Sequence, residues 1–241
     1  MAVTLFAGFV KGAVGFAMPL IMISSFSAFL TPDQALAGLI LPTLVTNVSQ
    51  AMRQGPQAAW DSAVRFRRFL IATLVMIVVS AQFVHAIPQS VFLMLLGLPI
   101  MTFALAQLSG RNLALRLEHR DRGEWVLGAI GGLYGGVSGV WGPPLIVYLL
   151  SIGAQKVETV RVQGVVFLLG AVVLLGAHLQ TGLMTGQNLW FSAALVLPAL
   201  LGQIIGLKVQ DRLDQARFRR WTQALLVLTG ANLVWRAVQL V

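Results

Sequence analysis

Residues 8 to 20, GFVKGAVGFAMPL, have a counterpart 124 positions later in residues 132 to 145, GLYGGVSGVWGPPL. Three glycines and one proline match between the copies at this single offset, and each copy opens a long apolar part of the chain. Glycine and proline weaken or interrupt helices. Two broken apolar segments at matched positions are typical of membrane transporters built from repeats, whose substrate site lies at the repeat interface. The duplication therefore predicts a transporter.

The composition indicates that this protein lies in a lipid bilayer. Hydrophobic residues make up 57% of the 241 residues and charged residues only 10%, and the mean hydropathy is +0.82. The apolar runs of roughly 16 to 22 residues lack the period-two alternation of barrel strands. Because helices satisfy their own backbone polar groups in lipid, we predict an all-α integral membrane protein.

The charge and cysteine content excludes several classes of function. The chain has no cysteine, which rules out disulfides, thiolate metal sites and cysteine nucleophiles. The net charge of +9 resides mainly in short links between apolar segments, where basic residues orient a protein against the anionic inner leaflet. We therefore expect no nucleic acid, metal or cofactor as a partner.

Ten apolar segments can be placed along the sequence. Two of them are too short to span a hydrocarbon core of about 30 Å and are predicted to be half-helices; these are residues 19–30 and 144–152. The others are residues 2–17, 34–52, 69–87, 90–108, 125–141, 159–180, 189–207 and 218–240. The predicted organisation is a first membrane repeat at 1–110, a basic cytoplasmic linker at 111–124 and a second repeat at 125–241.

The basic residues predict how the two halves are oriented. Thirteen of the 17 lysines and arginines fall in the links near residues 53–68, 111–122 and 208–220, whereas the links around Pro88 and 181–188 contain none. The positive-inside rule makes the first group cytoplasmic, in the inner membrane of a bacterium. Equivalent links then lie on opposite sides, so the repeats are inverted. Each half contains one broken hairpin and about three spanning helices, about eight helices in all if each hairpin counts as one.

The two broken tips predict a substrate cavity between them, because non-helical backbone at membrane depth needs protein or water around it. Helix ends at such tips favour a small anion. The candidate binding residues in the broken segments are Gly12, Gly15, Pro19, Gly136, Gly139, Trp141, Gly142 and Pro143. Five polar or charged side chains complete the candidate site. Lys11 lies in the first broken segment, and the other four lie in other segments: Asn47, Gln50, Arg161 and Gln163.

Each of these polar residues also has a structural interpretation. Lys11 lies in an apolar segment, where an ionised group is commonly functional, although a lysine near a chain end can reach the interface. Arg161 either clamps the anion or anchors its helix. Asn47, Gln50 and Gln163 either line a pathway or join helices. Gln82 and Gln203 occupy equivalent places in the two halves and either pair across the repeat axis or form hydrogen bonds between helices.

The two motifs and the stretch GQIIGLKVQDRLDQARFRRWTQALLVLTG, residues 202 to 230, resemble the TauE/SafE sulfite exporter family, also called the 4-toluene sulfonate uptake permeases. The likeness extends over essentially the whole chain. It implies transport of sulfite, organosulfonates or related anions, and the inside-negative membrane potential favours export. At Ala17 and Met18 the sequence departs from the more glycine-rich family pattern.

Two functions of other classes stay open at this point. Gly136-Val137-Ser138-Gly139 matches the string around the serine of rhomboid intramembrane proteases, with His178 as a conceivable base. A scaffold that transports nothing is the second alternative. The oligomeric state is also open, and a homodimer is one option.

Overall fold

The computed structural model describes residues 1–26, 29–81, 88–109, 120–180, 182–212 and 214–240. Within these ranges the chain forms α-helices and no strands. The helices are α1 (Ala2–Val14), α2 (Met18–Phe26), α3 (Pro32–Met52), α4 (Pro56–Arg65), α5 (Arg67–Ala81), α6 (Gln89–Leu108), α7 (Arg120–Ser138), α8 (Gly142–Ser151), α9 (Lys156–Gln180), α10 (Gly186–Ala194), α11 (Val196–Arg212) and α12 (Gln215–Gln239).

The helices confirm the predicted all-α architecture and add two features. Helix α4 was not predicted, because it carries arginine and aspartate and has little apolar character. The predicted segment 189–207 is divided into α10 and α11 at Leu195. Three helical stretches are long and apolar enough to cross a membrane, namely Gln34–Met52, Lys156–Gln180 and Gly186–Arg212. The protein is a multi-pass membrane protein.

Helices α1 and α11 pack together along a seam of glycines. The backbone carbonyls of Ala199 and Gln203 lie against Gly8 and Gly12, and the carbonyl of Leu5 lies against Gly202. A Cβ atom at any of these glycines would come within 3.0 Å of backbone. Because residue numbers rise together on both sides of the seam, the helices are parallel. Small residues allow this close approach in membranes.

Helices α5 and α7 form a second seam of the same kind. The carbonyls of Phe69, Thr73 and Ile77 lie against Gly128, Gly132 and Gly136. Here too the numbers rise together, so the two helices are parallel. Gly132 and Gly136 are the counterparts, at an offset of 124, of the α1 glycines that face α11.

The long helices α3 and α9 cross the centre of the molecule in opposite directions. Gly164 lies against the backbone of Gln50 and Ala51, whereas Leu36 and Leu174 meet at the other end of the pair. Helices α6 and α12 are also antiparallel, with a close contact between Gly97 and Gly230. The α3 and α9 pair therefore separates the two glycine seams, and both broken segments end against it.

Candidate functional site

Each of the two broken segments turns at a glycine in the left-handed region. Helix α1 ends at Gly15, which has a φ of 88°, and α2 begins three residues later. Helix α7 is followed by Gly139, with a φ of 70°, and α8 begins three residues later. Glycine adopts this conformation without steric cost. We call residues 15–17 the first tip and residues 139–141 the second tip.

Ala17 in the first tip is the one non-glycine residue with positive φ in the described ranges, at 77°. Its counterpart in the second tip, Trp141, has a φ of −118°. A left-handed alanine is strained by about 1 kcal/mol or more. The departure from the glycine-rich pattern at this position therefore leaves the tight turn in place, at the expense of backbone strain.

The two tips contact corresponding residues of α3 and α9. Gly15 contacts positions 50, 160 and 163, and Gly139 contacts positions 174, 36 and 39, which match the first set at an offset of 124. Around the first tip two of the three residues are glutamines, whereas all three around the second tip are leucines. The first tip thus has a polar environment and the second an apolar one.

A small cavity of about 20 Å³, with room for about one water molecule, lies between the two tips. The first broken segment contributes Phe16, Ala17, Pro19 and Leu20, and the second contributes residues 139 to 143. Thr43 of α3 and Phe167 of α9 complete its wall. Of the predicted binding residues, Pro19, Gly139, Trp141, Gly142 and Pro143 line this space together.

Lys11 lies fully within the protein, with only 1% of its surface exposed. Its Nζ donates a hydrogen bond of 2.8 Å to Thr46 Oγ1 and another to Asn47 Oδ1. Both acceptors are neutral. The lysine is therefore held inside the helix bundle, next to the predicted site residue Asn47.

Several buried polar atoms around the tips have no hydrogen-bond partner in the described structure. They are Thr43 Oγ1, Asn47 Nδ2, Trp141 Nε1, Gln203 Oε1 and both side-chain polar atoms of Gln163. Buried polar groups are normally paired, and an unpaired one is costly. Four of these side chains, those of Thr43, Asn47, Trp141 and Gln163, carry N–H or O–H donors.

Gln50 and Gln203 have structural partners. Gln50 Nε2 donates to the carbonyl of Gly15 at 3.0 Å and to that of Val160 at 2.9 Å. Gln203 Nε2 donates to the carbonyl of Thr46 at 2.9 Å. Gln50 thus joins the first tip to α9 and α3. Gln82, the predicted partner of Gln203, lies outside the described residues.

Trp141 occupies a space flanked by two glycines. Its indole lies against Gly135 of α7 and Gly170 of α9, and it is 3% exposed. Gly135 and Gly170 match Lys11 and Thr46 at the offset of 124. The indole with its unpaired N–H therefore fills, in the second half, the space that the Lys11 ammonium fills in the first.

Eight predicted site residues do not line the cavity, namely Lys11, Gly12, Gly15, Asn47, Gln50, Gly136, Arg161 and Gln163. Gly12 and Gly136 lie in the two glycine seams. The Arg161 guanidinium donates to Ser62 Oγ at 2.8 Å and to Gln54 Oε1 at 2.5 Å. These contacts join α9 to α4 and the loop before it, which is the anchoring arrangement.

A group of ion pairs surrounds Arg161 at the ends of the central helices. Arg53 forms hydrogen bonds to both carboxylate oxygens of Asp211, at 2.6 and 2.8 Å. It also donates to Gln210 Oε1 at 2.6 Å, and Arg65 pairs with Glu158 at 2.5 Å. These contacts tie the ends of α3, α4, α9 and α11 together. We call them the basic-end network.

Sequence reasoning missed a buried carboxylate in the second broken segment. Glu124 is 3% exposed and accepts a hydrogen bond of 2.7 Å from the Tyr148 hydroxyl. The same hydroxyl accepts a hydrogen bond of 3.2 Å from Arg120 Nε. Glu124 follows the charged linker and looks like part of it in the sequence. Only the pairing of α7 with α8 brings the tyrosine to it.

The model of the family described as sulfite exporter TauE/SafE matches residues 1–233 of this chain. No curated protein and no solved structure matches the chain. The match extends from the first broken segment into α12, so it includes both tips, the glycine seams and the α3 and α9 pair. Members of this family are membrane transporters. The chain belongs to the sulfite exporter TauE/SafE family.

Proposed function

We propose that this protein moves a small sulfur-containing anion, such as sulfite or a sulfonate, across the bacterial cytoplasmic membrane, and that the anion binds between the two tips and Lys11. The observation that carries the proposal is the Lys11 ammonium, which is 1% exposed and, among the described residues, hydrogen-bonded to neutral oxygens. An ionised group in such a place is rare unless it is paired. A bound anion supplies the missing charge.

In the proposed site, the unpaired donors supply hydrogen bonds to the oxygens of the anion. Asn47 Nδ2 lies on the side chain whose oxygen holds Lys11, and Trp141 Nε1 and Thr43 Oγ1 belong to the cavity wall. Tetrahedral and pyramidal oxyanions carry several acceptor oxygens, so they can take hydrogen bonds from more than one of these groups at once. The apolar wall around Phe16 and Phe167 suits the organic part of a sulfonate.

The packing of the helices supports two inverted repeats, with halves at 1–110 and 125–241. Under that arrangement α3 corresponds to α9 and α6 to α12, and each of these pairs is antiparallel. The parallel seam of α1 with α11 corresponds to the parallel seam of α7 with α5. Such symmetry allows alternating access, in which the two halves exchange conformations and open the cavity to each side in turn.

We propose export as the direction. With the basic links in the cytoplasm, an inside-negative potential favours outward movement of each negative charge by about 2.3 kcal/mol per 100 mV.

The proposal is tested by thermal unfolding of the detergent-purified protein with sulfite, thiosulfate, methanesulfonate, sulfate and dicarboxylates. A ligand that binds the folded state raises the melting temperature as its concentration exceeds Kd. We expect a shift with one sulfur anion, lost in Lys11→Met and kept in Lys208→Met, which alters an exposed lysine. A panel without any shift would contradict the proposed substrate class.

Anion binding and transport by variants of the protein address the two alternatives. A protease that uses Ser138 loses function in Ser138→Ala, whereas a transporter keeps both anion binding and transport. The side chain of Ser138 lies outside the described structure. A scaffold binds no anion, and changes at Lys11 leave it unaffected once the protein is folded.

A further inference from the structure

Lys11 has no carboxylate beside it among the residues that the structure describes. Among the described residues, no carboxylate forms a hydrogen bond or ion pair with its ammonium. We propose that Lys11 takes up a proton when the anion binds and releases it when the anion leaves, so that the protein carries one proton with each anion. This inference rests on the anion site proposed above and adds a coupling ion to it.

Within the described ranges, the helices packed around α1 bring no titratable group to face Lys11. Helix α2 contains none, and α11 faces α1 with Ala199, Gln203 and Gly206. The titratable residues of α11 are Lys208, Asp211 and Arg212, all in its last five residues. The contact with α12 is minor, and its cations lie near its two ends.

The same holds for α3 and α9. On α3 the groups beside Lys11 are Thr46 and Asn47, and its acidic residue, Asp33, lies 13 residues earlier, or about 20 Å along the helix. Helix α9 reaches the first tip through Gln163. Its titratable residues are Lys156, Glu158 and Arg161 in the first two turns and His178 in the last. Among the described residues, no carboxylate therefore balances a charge on Lys11; in this proposal the bound anion does so.

The hydrogen bonds of Lys11 suit both of its protonation states. In the charged state the ammonium donates to Thr46 and Asn47, and the Thr46 hydroxyl donates to the carbonyl of Pro42, 2.6 Å away. In the neutral state the amine still donates to Asn47 Oδ1 and can accept from the Thr46 hydroxyl. No side chain has to move, so the loss of a proton leaves no new unpaired group on α3.

The proton comes from water on the side to which the cavity is open and returns to water on the other side. No bond other than N–H forms or breaks. A monovalent anion then crosses without net charge, so the membrane potential no longer drives it, and the concentration gradients of the anion and of the proton together do. A dianion such as sulfite leaves with one negative charge, and the potential still favours its export.

The protein contains only three lysines, Lys11, Lys156 and Lys208, so the charge state of Lys11 can be measured directly. In protein labelled with ¹³C- and ¹⁵N-lysine, the side-chain NMR signal missing from Lys11→Arg identifies Lys11. We expect the empty protein near neutral pH to give a neutral amine for Lys11 and charged signals for the two other lysines. A charged Lys11 in the empty protein overturns the proposal.

The second measurement is proton uptake on anion binding, in weakly buffered detergent solution. Methanesulfonate is a suitable probe because it remains ionised throughout the neutral range and brings no proton itself. We expect the wild type and Lys208→Met to take up about one proton for each anion bound. We also expect the affinity for the anion to fall about tenfold for each unit that the pH rises, in the pH range where Lys11 is neutral in the protein without anion. Lys11→Arg, which stays charged, should bind with no proton uptake.

The outcomes separate this inference from the proposed function. Anion binding without proton uptake, or binding that leaves the Lys11 signal neutral, overturns the coupling and leaves the anion site standing. If neither methanesulfonate nor sulfite binds, the proposed substrate class is wrong. The NMR signal of Lys11 in the protein without anion still tests whether this lysine is neutral.

Discussion

The indole of Trp141 lies directly against the Cα of Gly170, at the position that matches the contact between Lys11 and Thr46 in the other half of the chain. The two halves thus contain the same space, filled once by a cation and once by an aromatic ring. The cation needs a charge partner, and the ring offers one N–H donor and an apolar face. At the proposed anion site, this asymmetry puts a lysine on one side and an aromatic ring on the other.

Replacing Gly170 tests how tightly the Trp141 ring is held. A Cβ at this position would lie 2.8 to 3.1 Å from indole atoms, so we expect Gly170→Ala to lower stability by about 1 to 3 kcal/mol through overpacking. The measurement is thermal unfolding in detergent. Gly176→Ala in the same helix is the control, because nothing lies within 4 Å of its added methyl. Equal stability of the two variants would contradict the packing.

Relief of backbone strain is expected at the first tip. Ala17→Gly should raise stability by up to about 1 kcal/mol, because glycine adopts the positive φ of this residue without a clash. Ala231→Gly, an exposed position within α12, should lower stability by about 0.5 to 1 kcal/mol. Opposite signs of the two changes in melting temperature support the strained turn, and a loss of stability in Ala17→Gly argues against it.

Loss of the Tyr148 hydroxyl is expected to destabilise the second broken segment. Tyr148→Phe leaves the buried Glu124 carboxylate without its hydrogen bond of 2.7 Å, which costs about 1 to 3 kcal/mol. Adding Glu124→Gln removes the buried charge and should recover part of that loss. Chemical denaturation of both single variants and the double variant gives the coupling energy. Strictly additive effects would show that the two side chains do not interact.

The basic-end network is expected to hold the cavity closed on that side. Because the chain has no cysteine, Thr43→Cys provides a single reporter in the cavity wall. Arg53→Ala removes a bidentate pair worth about 1 kcal/mol, so labelling by an impermeant maleimide from the cytoplasmic face should rise about fivefold. Arg217→Ala breaks the exposed pair with Asp214 and should change nothing. Equal labelling in both variants would exclude the network as a gate.

The parts of the fold that depend on the length of the apolar runs and on the spacing of glycines could be predicted from the sequence. Both broken segments, the long central helices and the turns at Gly15 and Gly139 follow from local residue types. Helix α4 does not, because it has no apolar run. The break at Leu195 was missed although Pro198 follows three residues later, where the proline has no N–H for the carbonyl of Ala194 and its ring clashes with that carbonyl.

The site was predictable only in part. A lysine in an apolar segment is visible in the sequence, and so is the polar face that carries Asn47. The space around Trp141 is not, because it depends on Gly135 and Gly170 from two different helices. Glu124 was missed for the same reason, since its partner Tyr148 reaches it only through helix packing.

Counterflow of ³⁵S-sulfite in proteoliposomes tests the central claim most directly, since it asks whether the protein moves the anion and whether Lys11 is needed. Vesicles loaded with unlabelled sulfite should accumulate the isotope with the wild type and with Lys208→Met. Lys11→Met should be slower by about tenfold or more, because it loses a charged hydrogen-bond donor. Equal counterflow by Lys11→Met and the wild type, with both variants folded, would contradict the account.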